Sequence, residues 1–317
     1  MPSGWSPARG SSVNKKPILI LGATGVFGTL IAEDLSDLPL IVGSRSLARA
    51  CSLASRLPCA EGRAIDLGGP LEFSGASIVI HCAGPYQGQD LRVVEACERA
   101  GAWYVDIADA QDYLAKLKGR PRVLGGMSTI PALVVTLARG LGPGPVEAYL
   151  YMGNQNEKGA AAITSLLEGI RRGYWRHRES VEFPFGKRPM HTFESADAAI
   201  AFKAGFDLDF INRGFVFARE LFRMGMPLPP PGPLIRLSNL FRGLGGGKGC
   251  LMVRVNGRRA WVIAEPRGQR VAALPASLAA RLLWEGRELR PLPDTFSPGE
   301  LEGALRARGF QVGHDEF

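Results

Sequence analysis

Three glycines at three-residue intervals, Gly22, Gly25 and Gly28, have the type and spacing to hold a phosphate chain. They follow a four-residue apolar run, Ile18 to Leu21. They precede apolar residues at helical spacing, Phe27, Leu30, Ile31 and Leu35. A buried strand, a glycine turn and a helix open a dinucleotide-binding unit. Gly22 lets the chain turn sharply out of the strand. Gly25 leaves the backbone open to a pyrophosphate, and Gly28 lets the helix pack closely on the sheet. Thr24 and the free N–H groups of Val26 and Phe27 then face the phosphates. The spacing is G-x-x-G-x-x-G, which a chain with 40 glycines also shows by chance, so its weight comes from the flanking strand and helix. The alternative is a glycine turn that holds no ligand.

The next strand, Leu40 to Gly43, selects the nucleotide. An acidic residue at its end would accept from a ribose 2′-hydroxyl. Here the residues are Ser44 and Arg45, which suit a 2′-phosphate through a charge-assisted bond. The expected cofactor is NADP(H); the alternative is a solvated Arg45 at a helix start. Asp66 falls where such folds line the adenine edge, or it forms a turn before Gly68 and Gly69.

In a doubly wound sheet a substrate lies beyond the carboxyl ends of the strands. That selects His81 to Tyr86 after the fourth strand, with Ala83, Gly84, Pro85 and Tyr86 as contacts, Asp106 to Asp109 after the fifth, and Met127 to Ile130, Ser128 among them, after the sixth. Gly84 and Pro85 form a wall beside the cofactor. Tyr86 either donates a proton or stacks, and it is the candidate catalytic residue as well as a substrate contact. Asp106 either contacts substrate or caps the segment after its strand. Asn154, after a later strand, is the candidate polar lining from the second half of the chain. His81 and Cys82 read equally as buried strand residues, and His191 falls in an unplaced loop. The Tyr-x-x-x-Lys pair of short-chain dehydrogenases is missing; Tyr113 and Lys116 are one residue too close. The proton then comes from water or an acid the sequence does not single out.

These residues must be positioned by alternating strands and helices. Strands are expected at Ile18–Leu21, Leu40–Gly43, Arg63–Leu67, Ser77–His81, Trp103–Ile107 and Arg122–Gly125, with helices between them. The fold class is α/β: an N-terminal Rossmann-type doubly wound parallel sheet, with a C-terminal mixed α+β domain. The expected division is a disordered tail at 1–16, a dinucleotide-binding domain at 17–142, a Gly-Pro hinge at 142–145, and a substrate and dimerisation domain at 146–317. In the second domain, Val146–Met152 reads as a strand and Gly159–Ile170 as a helix. The Phe-rich stretch 206–222 has helical spacing and ends at a Pro-rich break, Met226–Pro233. A hairpin turns at Asn256-Gly257, and Pro275–Trp284 is a last helix, free to pack back on the first domain.

At 317 residues, 46% of them apolar, the chain can bury two cores. Its net charge of +8 is spread along the chain and not gathered in a block, which disfavours nucleic acid and leaves a small molecule as partner. Five cysteines without C-x-x-C spacing disfavour a disulfide framework and a metal site, and place the protein in a reducing cytoplasm. No apolar run reaches membrane-spanning length.

Taken together, Ile18–Gly28, Ala83–Gly88, Val93–Gly101, Tyr104–Asp109 and Gly126–Pro131 resemble the saccharopine dehydrogenase family. The likeness is to its saccharopine dehydrogenase-like NADP-binding oxidoreductases, with a looser echo in Gly153–Gly159. It implies hydride transfer with NADP(H) to a small or acyl-type substrate, as in the similar trans-acting enoyl reductases. Saccharopine reductases carry a Gly-x-Asp-Pro-Gly turn where this chain has Gly126-Met-Ser-Thr-Ile-Pro131, without the Asp. That departure weakens an amino-acid or imine substrate. A non-catalytic NADP sensor is the third reading.

Overall fold

The computed structural model describes residues 16–316. The tail expected at 1–16 lies outside them except for Lys16. Short apolar runs form β1 (Ile18–Leu21) and β2 (Leu40–Ser44), buried along their whole length. They pair with β3 (Ala60–Ala64), β4 (Ile78–His81), β5 (Trp103–Asp106) and β6 (Val123–Leu124). The six are parallel throughout, in the order β3-β2-β1-β4-β5-β6. This is the Rossmann order, and it reverses between β1 and β4. β3 starts at Ala60, where Arg63 was expected. It is an edge strand set by its pairing with β2, not by apolar periodicity, and Ile65 and Leu67 pack after it has ended.

Both faces of this sheet are covered. Ile18, Ile20, Val42 and Ile80 point to one side, where α1 (Val26–Asp34) and α2 (Leu47–Ala54) supply Leu30, Ile31 and Leu53. Leu19, Leu21, Val79 and Tyr104 point to the other, under α3 (Arg92–Ala100) and α4 (Gln111–Leu117). A fully buried Leu or Ile contributes roughly 1.5–3 kcal/mol, so this unbroken burial holds the sheet and fixes the loops at its carboxyl end.

After β6 a bent segment, Thr129–Leu133, runs into α5 (Val134–Leu141). The Gly142–Pro145 connector follows. It is tied to a later turn by Asn256 Nδ2 donating to Pro143 O at 2.7 Å. The second sheet contains β7 (Val146–Met152), β8 (Arg176–Phe183), β9 (Gly186–Thr192), β10 (Ile200–Phe206), β11 (Gly249–Val255), β12 (Arg258–Ala264) and β13 (Gln311–Glu316). Its order is β13-β12-β11-β7-β10-β9-β8. Only β7 and β10 pair in parallel, so it is a mixed sheet. The turn at Asn256-Gly257 has both residues at positive φ, as a two-residue hairpin turn requires.

Helices α6 (Ala160–Arg171), α7 (Asp209–Arg223) and α8 (Pro231–Leu240) lie beside this sheet. α8 begins inside the expected Pro-rich break, because a proline is well suited to the first turn of a helix. The helix expected from Pro275 runs over Arg270–Trp284 as α9, with Pro275 inside it. It is not the last, since α10 (Pro298–Ala307) follows. His191, expected in a loop, sits in β9, where it stacks on Trp175 at 5.1 Å.

One continuous core joins Ile18, Ile20 and Ile80 of the first sheet to Leu251, Val253 and Val262 of the second, through α5 and α9. Polar contacts rim α9: Ser277 Oγ donates to Asp34, Arg281 pairs with Asp37 at 2.6 Å, and Arg308 pairs with Asp34 at 2.7 Å.

Candidate active site

The turn after β1 is built as its glycines suggest. Gly22 has φ +72°, and a Cβ there would meet Ala83, after β4, at 3.0 Å, so the glycine lets the turn close against the neighbouring strand. A Cβ at Gly28 would collide with Gly22 O and reach Ala23 Cα at 2.7 Å; that glycine packs α1 onto the turn. A Cβ at Gly25 would meet only Gly22 O, at 3.2 Å, which leaves the outer side of the turn open. The first N–H groups of α1, at Val26 and Phe27, have no intrahelical acceptor and point to that side.

At the end of β2, Ser44 Oγ lies 3.0 Å from Thr24 Oγ1 and accepts from Ser46 N at 3.3 Å. Arg45 is exposed and has no hydrogen-bond or ion-pair partner among the described residues. Arg49, which sequence reasoning passed over, donates to Thr24 O at 3.2 Å and adds a second cation beside the turn. Its signal was available: Ser46 caps α2 and places Arg49 in the first turn, next to Arg45. Thr24, Ser44 and Arg49 are thus grouped at the turn, with Arg45 exposed beside Ser44 in the chain; donors of this kind suit a phosphate. Asp66 is exposed beyond β3 and accepts from Gly68 N at 3.0 Å, so it forms its own turn.

The turns after β1 and β4 border a cavity of about 510 Å3 between the two sheets. Val26, Phe27, Gly84, Pro85, Tyr86 and Ser128 line one side. Asn154 and the aromatic residues Trp175, Phe193, Phe202, Phe206 and Phe215 line the other. The start of α6 closes over the first side. Gly159 would place a Cβ 3.4 Å from Val26, Gly84 one 3.5 Å from Ala161, and Ser165 Oγ donates to Gln87 at 3.2 Å. Within the Phe-rich stretch, Phe206, Phe210 and Phe215 line the cavity and Phe217 is exposed, so the stretch is cavity wall and surface, not core.

Tyr86 and Asn154 line the same cavity, but their polar atoms are engaged elsewhere. Tyr86 is 4% exposed, and its hydroxyl donates to His81 O at 2.6 Å. Burial, with the nearby Asp106 carboxyl, holds that phenol far above its ordinary pKa. It offers ring surface to the cavity. Asn154 Nδ2 donates to Phe241 O and Leu244 O at 2.7 and 3.1 Å, and its Oδ1 accepts from Lys158 at 3.1 Å. Its side chain ties the β7 end to the turn after α8. Ser128 is 8% exposed and donates to Ile130 O at 3.1 Å.

Asp106 does not line the cavity. Its Oδ1 accepts from Gly126 N at 2.7 Å and Ala108 N at 3.0 Å, which joins the loops after β5 and β6. Its Oδ2 has no partner among the described residues. Burial raises its pKa to about 6, against the lowering effect of those two N–H groups. His81 is likewise buried, accepting or donating through Nδ1 at 3.1 Å from Tyr104, and burial depresses its pKa to about 4. Two further groups face the cavity: Lys158, which sequence reasoning passed over, and Asp109, which it placed in the loop after the fifth strand without a role. Lys158 lines it, with its Nζ donating to Asn154 O, Asn154 Oδ1 and Asn156 O, so all three protons are committed. Asp109 is open to the cavity beside Glu194. Desolvation by the protein around it, with the Glu194 carboxylate, raises its pKa to about 6, against the lowering effect of a backbone N–H. Glu194 is itself paired with Arg172 at 2.8 Å.

The chain matches no family model and no curated protein. Among solved structures it is similar to a dehydrogenase (MviM) from Clostridium difficile, at 6% identity and TM-score 0.40, over 92% of this chain and 96% of that one. It is similar to the WlbA dehydrogenase from Bordetella pertussis, solved with NADH and UDP-GlcNAcA, at 9% identity and TM-score 0.39, over 92% and 96%. A third is FolM alternative dihydrofolate reductase 1 from Brucella canis, complexed with NADP, at 18% identity and TM-score 0.28, over 35% and 70%. Likenesses this distant add nothing to what the sheet order and the turn geometry show by themselves.

Proposed function

We propose that the chain is an NADP(H)-dependent oxidoreductase of the saccharopine dehydrogenase-like type, acting on an apolar, acyl-type substrate. The observation that supports it best is that Val26 and Phe27, which follow the glycine turn, line an aromatic cavity. The motifs Ile18–Gly28, Ala83–Gly88 and Gly126–Pro131 support the family reading. Thr24, the N–H groups of Val26 and Phe27, Ser44, Arg45 and Arg49 would hold the nucleotide, and Gly84 and Pro85 would flank it. When bound, NADPH supplies the hydride.

The chain's own residues then have three tasks. Aromatic walls such as Phe202 and Phe206 bind the apolar body of the substrate and exclude water. Asn154 and Lys158 hold the β7–α6 loop over the cavity. Asp109 is the proton donor, because it is the carboxyl that faces the cavity with its pKa raised towards neutrality. A donor must be protonated, so turnover falls as pH rises through about 6. The test is NADPH oxidation with enoyl, carbonyl and imine substrates of increasing chain length. Turnover that rises with apolar length supports the proposal, and Asp109→Asn should lower kcat by about 10²-fold or more and remove the alkaline limb. Turnover confined to acidic amino acids or imines, or binding without turnover, goes against it.

A further inference from the structure

At one end of the cavity, α7 and α8 carry apolar side chains that nothing among the described residues covers. Phe210, Phe217 and Met224 are seven residues apart, so they share one face of α7 and its cap. They are 54%, 65% and 75% exposed. On α8 and the turn after it, Leu237, Leu240, Phe241 and Leu244 recur at i, i+3, i+4 and i+7, each at least 40% exposed. The rings of Phe210 and Phe241 meet at 6.2 Å and join the two stripes into one surface. Phe210, Leu237 and Phe241 also line the cavity, so this surface surrounds an opening to it.

Contiguous exposed apolar surface marks a binding face. Its charges indicate the partner. In residues 209 to 240, Arg213, Arg219, Arg223 and Arg236 stand against Asp209 and Glu220, while Arg242 and Lys248 beyond them pair with Glu157 and Glu265. Arg236 is exposed and has no partner among the described residues. A second copy docking face to face would bring the same positive excess against it. Apolar side chains flanked by cations suit an anionic lipid surface, where the rings enter the acyl boundary and the guanidinium groups meet phosphates. Among the described residues no helix is long and apolar enough to cross a membrane, so the contact is with the surface only.

We propose that α7 and α8 dock on an anionic lipid bilayer, with the cavity mouth at Phe210, Leu237 and Phe241 facing the lipid. Entry of an acyl substrate by that mouth rests on the function proposed above; the docking does not.

The test is co-sedimentation of the full chain with phosphatidylcholine vesicles, with and without roughly one third phosphatidylglycerol. The expected result is partition at least about tenfold stronger with phosphatidylglycerol, weakening as salt rises. The variant F217S/M224Q/L240Q keeps the net charge and changes no cavity-lining residue. It should lose about tenfold or more in partition at an unchanged Tm. Docking is overturned if the unaltered chain stays in the supernatant, or if the variant sediments equally. It is overturned as well if the chain is a dimer that this variant makes monomeric, since a second copy then covers the face. NADPH titration of the same samples reports on the proposed function alone, so the two failures are distinguishable.

Discussion

At the scale of residues, the glycine turn separates two roles that look identical in sequence. Gly28→Ala drives a methyl group into the Gly22 and Ala23 backbone and should cost about 1–3 kcal/mol of stability. Gly25→Val meets only one carbonyl oxygen, at 3.2 Å, so thermal unfolding should show a largely intact fold while NADPH binding is lost. Asp106 gives a pH signature. Its folded pKa is raised from 3.8 to about 6, so its contribution is full below pH 4 and is lost as pH rises through 6. Asp106→Asn should therefore gain on the parent chain between pH 4 and 7, by on the order of 3 kcal/mol; urea titrations at the two pH values measure the gap. The glycine turn was legible because its geometry depends on neighbours a few positions away. Asp106 was legible as a cap, through Ala108 N two residues on, but its tie to Gly126 and that of Asn154 to Phe241 were not, because those partners lie 20 and 87 residues along the chain.

At the scale of elements, α9 shows which force holds the two sheets together. Leu274 is 2% exposed in the shared core, whereas Arg281 pairs with a largely exposed Asp37 at the rim. Leu274→Ala should cost about 2–5 kcal/mol and Arg281→Ala about 1 or less, read by denaturant midpoint. The strands of the first sheet were legible because burial on both faces leaves unbroken apolar runs such as Ile78–Ile80. Strand β8 was not, because Arg176–Glu179 lies exposed or half-buried at an edge and leaves no clean alternation. The helical pattern of α9 was plain, but its place between the sheets depends on packing that periodicity does not encode.

At the scale of the whole molecule, an aromatic cavity lies between the Rossmann sheet and the mixed sheet, which is the arrangement the proposed reaction requires. The division into domains at 142–146 was read from Gly and Pro alone, while the apolar core runs on across it. On the proposed function, Ser44, Arg45 and Arg49 make the nucleotide site selective for a 2′-phosphate. Fluorescence titration of the full chain with NADPH and with NADH tests it most directly. The expected result is NADPH binding at least tenfold tighter, about 1.4 kcal/mol, which one charge-assisted contact suffices to supply. Equal affinities, a preference for NADH, or no binding of either would contradict it.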